Sequence, residues 1–152
     1  MGLLDKLKGA VNLVTGGAAK VTIGYPPLVF PGETVRVTIV ATSTGAEIRS
    51  AGAFVDLVGT EEPRTTGDTV PATSSTNVAK RTIETELPIA SAFVLAAGET
   101  KTFEGTFVVP REAQPTYAGV NARHGWQIRG RIEAPGNDPD SGYLPIRIGL
   151  RE

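Results

Sequence analysis

Between residues 21 and 150 the chain alternates apolar and polar side chains with a period of two. Val35, Val37, Ile39 and Ala41 are interleaved with Arg36, Thr38 and Val40. Phe103, Gly105, Phe107 and Val109 are interleaved with Thr102, Glu104, Thr106 and Val108. Trp126, Ile128, Gly130 and Ile132 are interleaved with Gln127, Arg129, Arg131 and Glu133. A period of two puts successive side chains on opposite faces of an extended strand, whereas a helix needs a period of 3.6. These segments are therefore read as half-buried strands. Val21 and Ile23 begin the series, and Ile48, Ala53, Val55 and Leu57 continue it with Asp56 facing out. Leu144, Ile146, Ile148 and Leu150 close the domain. Pro145, at an outward position, predicts that this last strand keeps one side unpaired or bulged.

Between the strands lie turn residues. Glycine (18) and proline (11) together make up about a fifth of the 152 residues. Turns are expected at residues 30–33, 42–45 and 97–99, and a hairpin loop at 134–142. Residues 60–76 hold eight Ser/Thr and no core periodicity, and are read as a long polar loop. A polar, alternating strand follows around 78–87 and belongs near a sheet edge. Phe93 and Leu95 make a short return, and residues 110–124 are read as irregular. Seven or eight short strands of this kind predict a single antiparallel β-sandwich. A domain of this length buries roughly 70% of its unfolded surface.

Only the first 17 residues have another periodicity. Leu3, Leu4, Leu7, Ala10, Val11 and Val14 recur at helical spacing, with Asp5, Lys6, Lys8 and Asn12 mostly opposite and Gly16-Gly17 as a stop. A short amphipathic helix over 1–17 is expected, ahead of a domain over 18–152. Its apolar face (Leu3, Leu4, Leu7, Val11, Val14) either caps an open end of the domain or meets a membrane or partner. Lys6, Lys8 and Lys20 give weak attraction to anionic lipid. Asn12 and Thr15 interrupt the apolar run, which argues against a signal peptide. Met1-Gly2 lacks the Ser or Thr of a myristoylation pattern, because position 6 is Lys. No apolar run approaches the ~18–20 residues of a membrane-spanning helix.

Composition removes much chemistry. With no Cys, disulfides, thiol nucleophiles and thiolate metal sites are excluded, and one His cannot build a multi-His zinc site. A net charge of −1 argues against nucleic acid as a partner. His124 has no Gly-x-Ser-x-Gly nucleophile elbow to serve and is read as structural or exposed. Residues 137–142 loosely suggest a calcium loop. The required Glu, counted from Asp138, falls on Gly149, so the segment is read as a turn. No catalytic residue, cofactor or metal is expected.

Two surface features remain. Gln127, Arg129 and Arg131 share the polar face of one strand, and Arg147 faces them from the last strand. Together they are a candidate site for a phosphate or a partner's carboxylates, set against a solvated face balanced by Glu133. The polar strand near 78–87 is a candidate edge for a partner's extended segment, set against an edge guarded by Lys80, Glu84 and Glu86.

Four stretches in order resemble a known family. They are Phe30-Pro31-Gly32-Glu33-Thr34-Val35; Ile48 with the run from Ala53 to Glu61; Ala97-Gly98-Glu99 leading to Phe103-Glu104-Gly105-Thr106-Phe107-Val108-Val109-Pro110; and Pro115-Thr116-Tyr117 with Trp126-Gln127-Ile128, Ile132 and Ala134-Pro135. Spread over about residues 18–150, they are similar to the arrestin-like sandwich, most closely its bacterial sporulation-control relatives. Arrestins have two such sandwiches, and this chain has room for one. Gly105, Gly130 and Trp126 stand where the family often has Phe, Val or Ile. The receptor-binding and phosphate-sensing residues of animal arrestins have no counterpart here.

The resemblance implies an immunoglobulin-like fold and a non-catalytic, cytoplasmic protein-binding or scaffolding module working beside membranes or sorting machinery. Its partners would be proteins, met through strand edges, loops and the arginine face. The alternative is a structural subunit packing with copies of itself in a shell, sheath or virion.

Overall fold

The computed structural model describes residues 18–63, 80–136 and 138–150, and is all β. The expected N-terminal helix, with Leu3, Leu4, Leu7, Val11 and Val14, lies outside the described residues.

Eleven strands run in the order β1 (Ala19–Gly24), β2 (Leu28–Val29), β3 (Thr34–Ser43), β4 (Ile48–Ser50), β5 (Gly52–Pro63), β6 (Lys80–Ala90), β7 (Phe93–Leu95), β8 (Thr100–Val108), β9 (Tyr117–Ala118), β10 (Ala122–Glu133) and β11 (Leu144–Ile148). One sheet has the order β1-β3-β8. The other has the order β2-β11-β10-β5-β6, with β9 beside β10, and β4 pairs with β7. The excess over seven or eight strands lies in β2, β4, β7 and β9, each two or three residues long. Pairing is antiparallel except between β2 and β11, where Arg147 sits beside Leu28 and Ile148 beside Val29 in parallel. Pro145 lies outside that parallel pairing, as its missing N–H requires.

The inward residues of the two larger sheets form one core. Val21, Val35, Val37, Ile39 and Phe107 come from the first, and Val55, Leu57, Trp126, Ile128, Ile132, Ile146 and Ile148 from the second. At Gly130 the two layers approach closely. A Cβ there would stand 3.2 Å from Ile23 Cβ and 3.3 Å from Ile39 Cγ1, so those side chains already fill the space. Gly105 faces Ile89 in the same way. The two glycine departures from the family pattern thus have a packing reason.

The repeated Gly-Glu pair is one turn used twice. Gly32 has φ +80° and Gly98 has φ +74°, the left-handed region that Gly enters without steric cost. In the first turn Glu33 N donates to Phe30 O at 3.0 Å, and Phe30 N donates to the Glu33 carboxylate at 2.9 Å. In the second, Glu99 N donates to Ala96 O at 2.9 Å, and Ala96 N to the Glu99 carboxylate at 2.8 Å. Each turn launches one of two strands that then pair, β3 and β8. Nothing lies within 4 Å of a Cβ at Gly98. Gly98→Ala is therefore expected to destabilise by about 1 kcal/mol through the backbone alone, read as a lower urea midpoint at unchanged slope.

Some expectations need correction. β5 continues through Pro63, so residues 60–63 are strand: all four pair with residues 122–125 of β10, and Thr60 and Glu61 also pair with Arg81 and Lys80 of β6. Residues 122–124, read as irregular, belong to β10 for the same reason. Leu150 does not close the core. It is 74% exposed, because β11 ends at Ile148. Asp56 is on the outer face of β5 as expected, but it is buried.

Candidate functional site

The outer face of the larger sheet carries a polar concavity, an open groove of about 850 Å³. Asp56 on β5, Glu84 and Glu86 on β6, and Arg129, Arg131 and Glu133 on β10 line it. Register brings them together: Asp56 stands between Arg129 on one side and Glu86 on the other. The 134–143 loop supplies Asp138, Asp140 and Tyr143. That loop folds back along β10, with Ser141 N donating to Gly130 O at 2.8 Å and Ile132 N to Pro139 O at 3.0 Å. It is more than a tight hairpin turn, because its backbone satisfies the free side of β10 beyond β11.

Asp56 Oδ2 is the hub. It accepts from Arg129 Nε at 3.0 Å and Nη2 at 2.8 Å, and from Arg131 Nε at 2.8 Å. Arg131 also binds the Glu86 carboxylate, and its Nη1 lies 3.4 Å from Glu133 and 3.5 Å from Asp138. Arg129 Nη1 lies 3.7 Å from Asp140. Each guanidinium also covers a ring: Arg129 stands 4.5 Å from the Tyr143 centroid, and Arg131 4.9 Å from that of Phe54. Burial alone would pull Arg131 down. The Asp56 hydrogen bond and charge, with Glu86 and Glu133, outweigh it and hold the guanidinium above its ordinary pKa.

The four residues singled out from the sequence therefore do not act as one patch. Arg129 and Arg131 are engaged with carboxylates, and two arginines face six carboxylates in the groove, so its field is negative. Gln127 is exposed one step along β10, opposite Pro145. Arg147 is exposed past Ile146, which pairs with Trp126. That register puts it beside Gly125, about 13 Å from Arg129 at ~3.3 Å per residue. Asp56, Glu86, Asp140 and Tyr143 were missed. One signal was legible for Asp56: an acid inside the apolar run from Ala53 to Val58 must find a cation if it is buried.

His124 sits at the far end of β10, 1% exposed. Its Nδ1 lies 3.2 Å from Pro115 O, which can only accept, so Nδ1 carries the proton. Nε2 then accepts from Thr82 Oγ1 at 2.6 Å. Tyr117 stacks on the ring at 6.0 Å, Trp126 meets it edge-on at 5.3 Å, and Trp126 Nε1 donates to Gln114 O at 2.7 Å. The imidazole thus pins residues 114–117 to the sheet. Among the described residues no group of three or more His, Asp or Glu side chains is arranged to hold a metal ion. No helix among them is long and apolar enough to cross a membrane.

No family model matches the chain, and no curated protein matches it. Among solved structures it is similar to Spo0M, the sporulation control protein of Bacillus subtilis, with a TM-score of 0.69 and 19% identity over 89% of this chain and 51% of that one. The chain thus spans about half the length of Spo0M. A second structure, of AvmM, which catalyses macrocyclization in alchivemycin A biosynthesis, has a TM-score of 0.49 and 12% identity over 90% of this chain and 91% of that one. That score bears on neither fold nor chemistry. With two sheets around one core and an overlay that covers nearly the whole chain, the fold is the β-sandwich seen in Spo0M.

Proposed function

We propose that this chain is a non-catalytic, cytoplasmic interaction module that engages protein partners through its strand edges and loops. The observation that carries this reading is the edge at β6. Among the described residues β6 pairs with β5 alone. Lys80, Arg81, Glu84 and Glu86 are exposed along it. A strand of this kind accepts an extended partner segment through main-chain hydrogen bonds, and its side chains select which segment. The imidazole, the one side chain suited to proton transfer near neutral pH, has both nitrogens committed to Thr82 and Pro115, which supports a role without catalysis.

Proline scanning tests the edge. Successive N–H groups of a strand point to alternate sides, so of Thr85→Pro and Glu86→Pro one removes a bond to β5 and the other an outward N–H. The outward-facing variant is expected to keep the wild-type melting temperature and lose at least tenfold in affinity for a captured partner. Unchanged binding by that variant would dismiss the edge.

Self-assembly as a structural subunit is favoured by a different feature. The β2 edge exposes Leu28 at 47%, and Leu150 follows Gly149, which lies against Leu28. On that reading, light scattering gives a mass that rises with concentration and falls back to one chain in Leu28→Glu/Leu150→Glu.

A further inference from the structure

The polar groove and the β6 edge share residues. Glu84 and Glu86 line the groove and lie on β6, which among the described residues pairs with β5 alone. A strand added to β6 lays every second side chain on the groove side, next to those two carboxylates. Register fixes what those side chains meet. Across the sheet Arg129, Asp56 and Glu86 form one rank, and Gln127, Val58 and Glu84 the next. The first rank reads positive, negative, negative and then stops. The position about 4.8 Å beyond Glu86 is the one an added strand fills.

Two further observations give the charge that fits there. Six carboxylates against Arg129 and Arg131 leave the groove lining with a surplus of four negative charges. Arg81, paired with Glu84 at 2.6 Å, reduces the surplus to three. The second observation is an unused acceptor at the groove floor. Asp56 is 7% exposed, and its Oδ2 receives all three hydrogen bonds donated to the carboxylate. Among the described residues nothing donates to Oδ1. A buried carboxylate oxygen without a donor is unfavourable, and a cationic N–H is its complement. Asp56 lies two strand spacings from the added position, about 10 Å, which a long basic side chain laid across Glu86 spans.

We propose that the segment engaged at β6 is basic, an extended stretch with Lys or Arg at alternate residues. Main-chain bonds to β6 hold it, and the groove carboxylates select it. The inference rests on the β6 edge as the site of engagement and adds the chemistry of the partner. Glu84 and Glu86 then choose a segment in addition to guarding an edge. A metal ion is a poorer occupant, because among the described residues no three acidic side chains are gathered as ligands. Each cross-strand charge pair adds little by itself, so recognition needs two or more in register and weakens with salt in so open a groove.

Fluorescence anisotropy with defined probes tests this. One probe is a capped, labelled peptide of alternating Lys and Thr, about as long as β6. A second has Glu in place of Lys, and spermine supplies cationic charge without a main chain. Wild type is expected to bind the Lys peptide at least tenfold more tightly than the Glu peptide or spermine. The outward-facing proline variant should lose at least tenfold for the Lys peptide, and Glu84→Gln/Glu86→Gln at least fivefold. Because Glu86 also contacts Arg131, Glu84→Gln alone, at a side chain 57% exposed, supplies a variant that keeps the wild-type melting temperature and loses about threefold. Equal affinity for the two peptides, lost in the proline variant, would leave the edge standing and overturn the basic partner. Affinity that the proline variant retains, or that spermine matches, would mean charge attraction without strand addition and would overturn the proposal together with the edge. Binding of neither peptide would overturn the basic segment, while a captured partner still tests the edge.

Discussion

Asp56→Ala is expected to lower the unfolding free energy by about 3 kcal/mol, the low end of what removing one partner from a buried ion pair costs. Asp56 and Arg131 are both nearly enclosed, with side chains 10% and 8% exposed. Truncation leaves two guanidinium groups without the oxygen that binds three of their nitrogens. Glu86, Glu133 and Asp138 still stand near Arg131, which keeps the loss from growing further. Replacing the cluster as a unit should behave differently. Asp56→Leu with Arg131→Met removes both buried charges and is expected to fall within about 1 kcal/mol of wild type. By contrast, Arg123→Ala breaks an ion pair with Glu62 whose side chains are 60% and 40% exposed, and should cost well under 1 kcal/mol. Urea unfolding of the four proteins checks the order. A loss for Asp56→Ala no larger than that for Arg123→Ala would mean that the groove floor is wet and the network is ornamental.

Ile128→Ala should cost about 3–4 kcal/mol. Its side chain is fully buried between the sheets, and large-to-small changes in such places lose transfer energy and leave a cavity. Leu57 lies directly across the strand pair and is also fully buried, so Leu57→Ala is expected to cost a similar amount. The double variant should cost less than the sum of the two, because both truncations open the same space. Leu150→Ala supplies the contrast. The residue shares the period-two pattern of β11 but is 74% exposed, so its loss should stay within about 0.5 kcal/mol. Chemical denaturation with a common slope tests the series. A large loss at Leu150 would show that the sandwich closes around it after all.

Leu150 also shows where reading the chain reaches its limit. Alternation from Leu144 onward marks a strand, yet alternation cannot say where the partner strands stop. β11 ends at Ile148 because β2, which pairs with it, offers only Leu28 and Val29. The start of the polar loop was misplaced for the same reason. Residues 60–63 carry no apolar pattern, but β10 runs alongside them and supplies their main-chain partners. Pairing across the sheet, not local composition, decides strand length at such ends.

The arginine face is a second case. Gln127, Arg129 and Arg131 do share one side of β10, as period two requires. Whether they offer free positive charge depends on which strand lies next to them. The neighbour is β5, carrying Asp56, and beyond it β6, carrying Glu86, so the guanidinium charges are spent inside the protein. Arg147, on the outward face of β11 as alternation predicts, falls beside Gly125 instead of Arg129 because the β10–β11 register is set by Trp126 facing Ile146.

Alternation and turn chemistry alone determined that this chain is a β-sandwich, which side chains fill it, and where Gly32 and Gly98 reverse its direction. Val37, Val55, Phe107 and Ile128, all inward by that reading, are buried. These properties are local, set by a two-residue repeat and by φ preferences that each residue carries wherever it sits. The ionic network around Asp56, the use of His124 as a pin, and the acidic groove that opens onto β6 came only from the tertiary structure. Each of them joins residues far apart in the chain through strand register, and register is an outcome of the packed core as a whole.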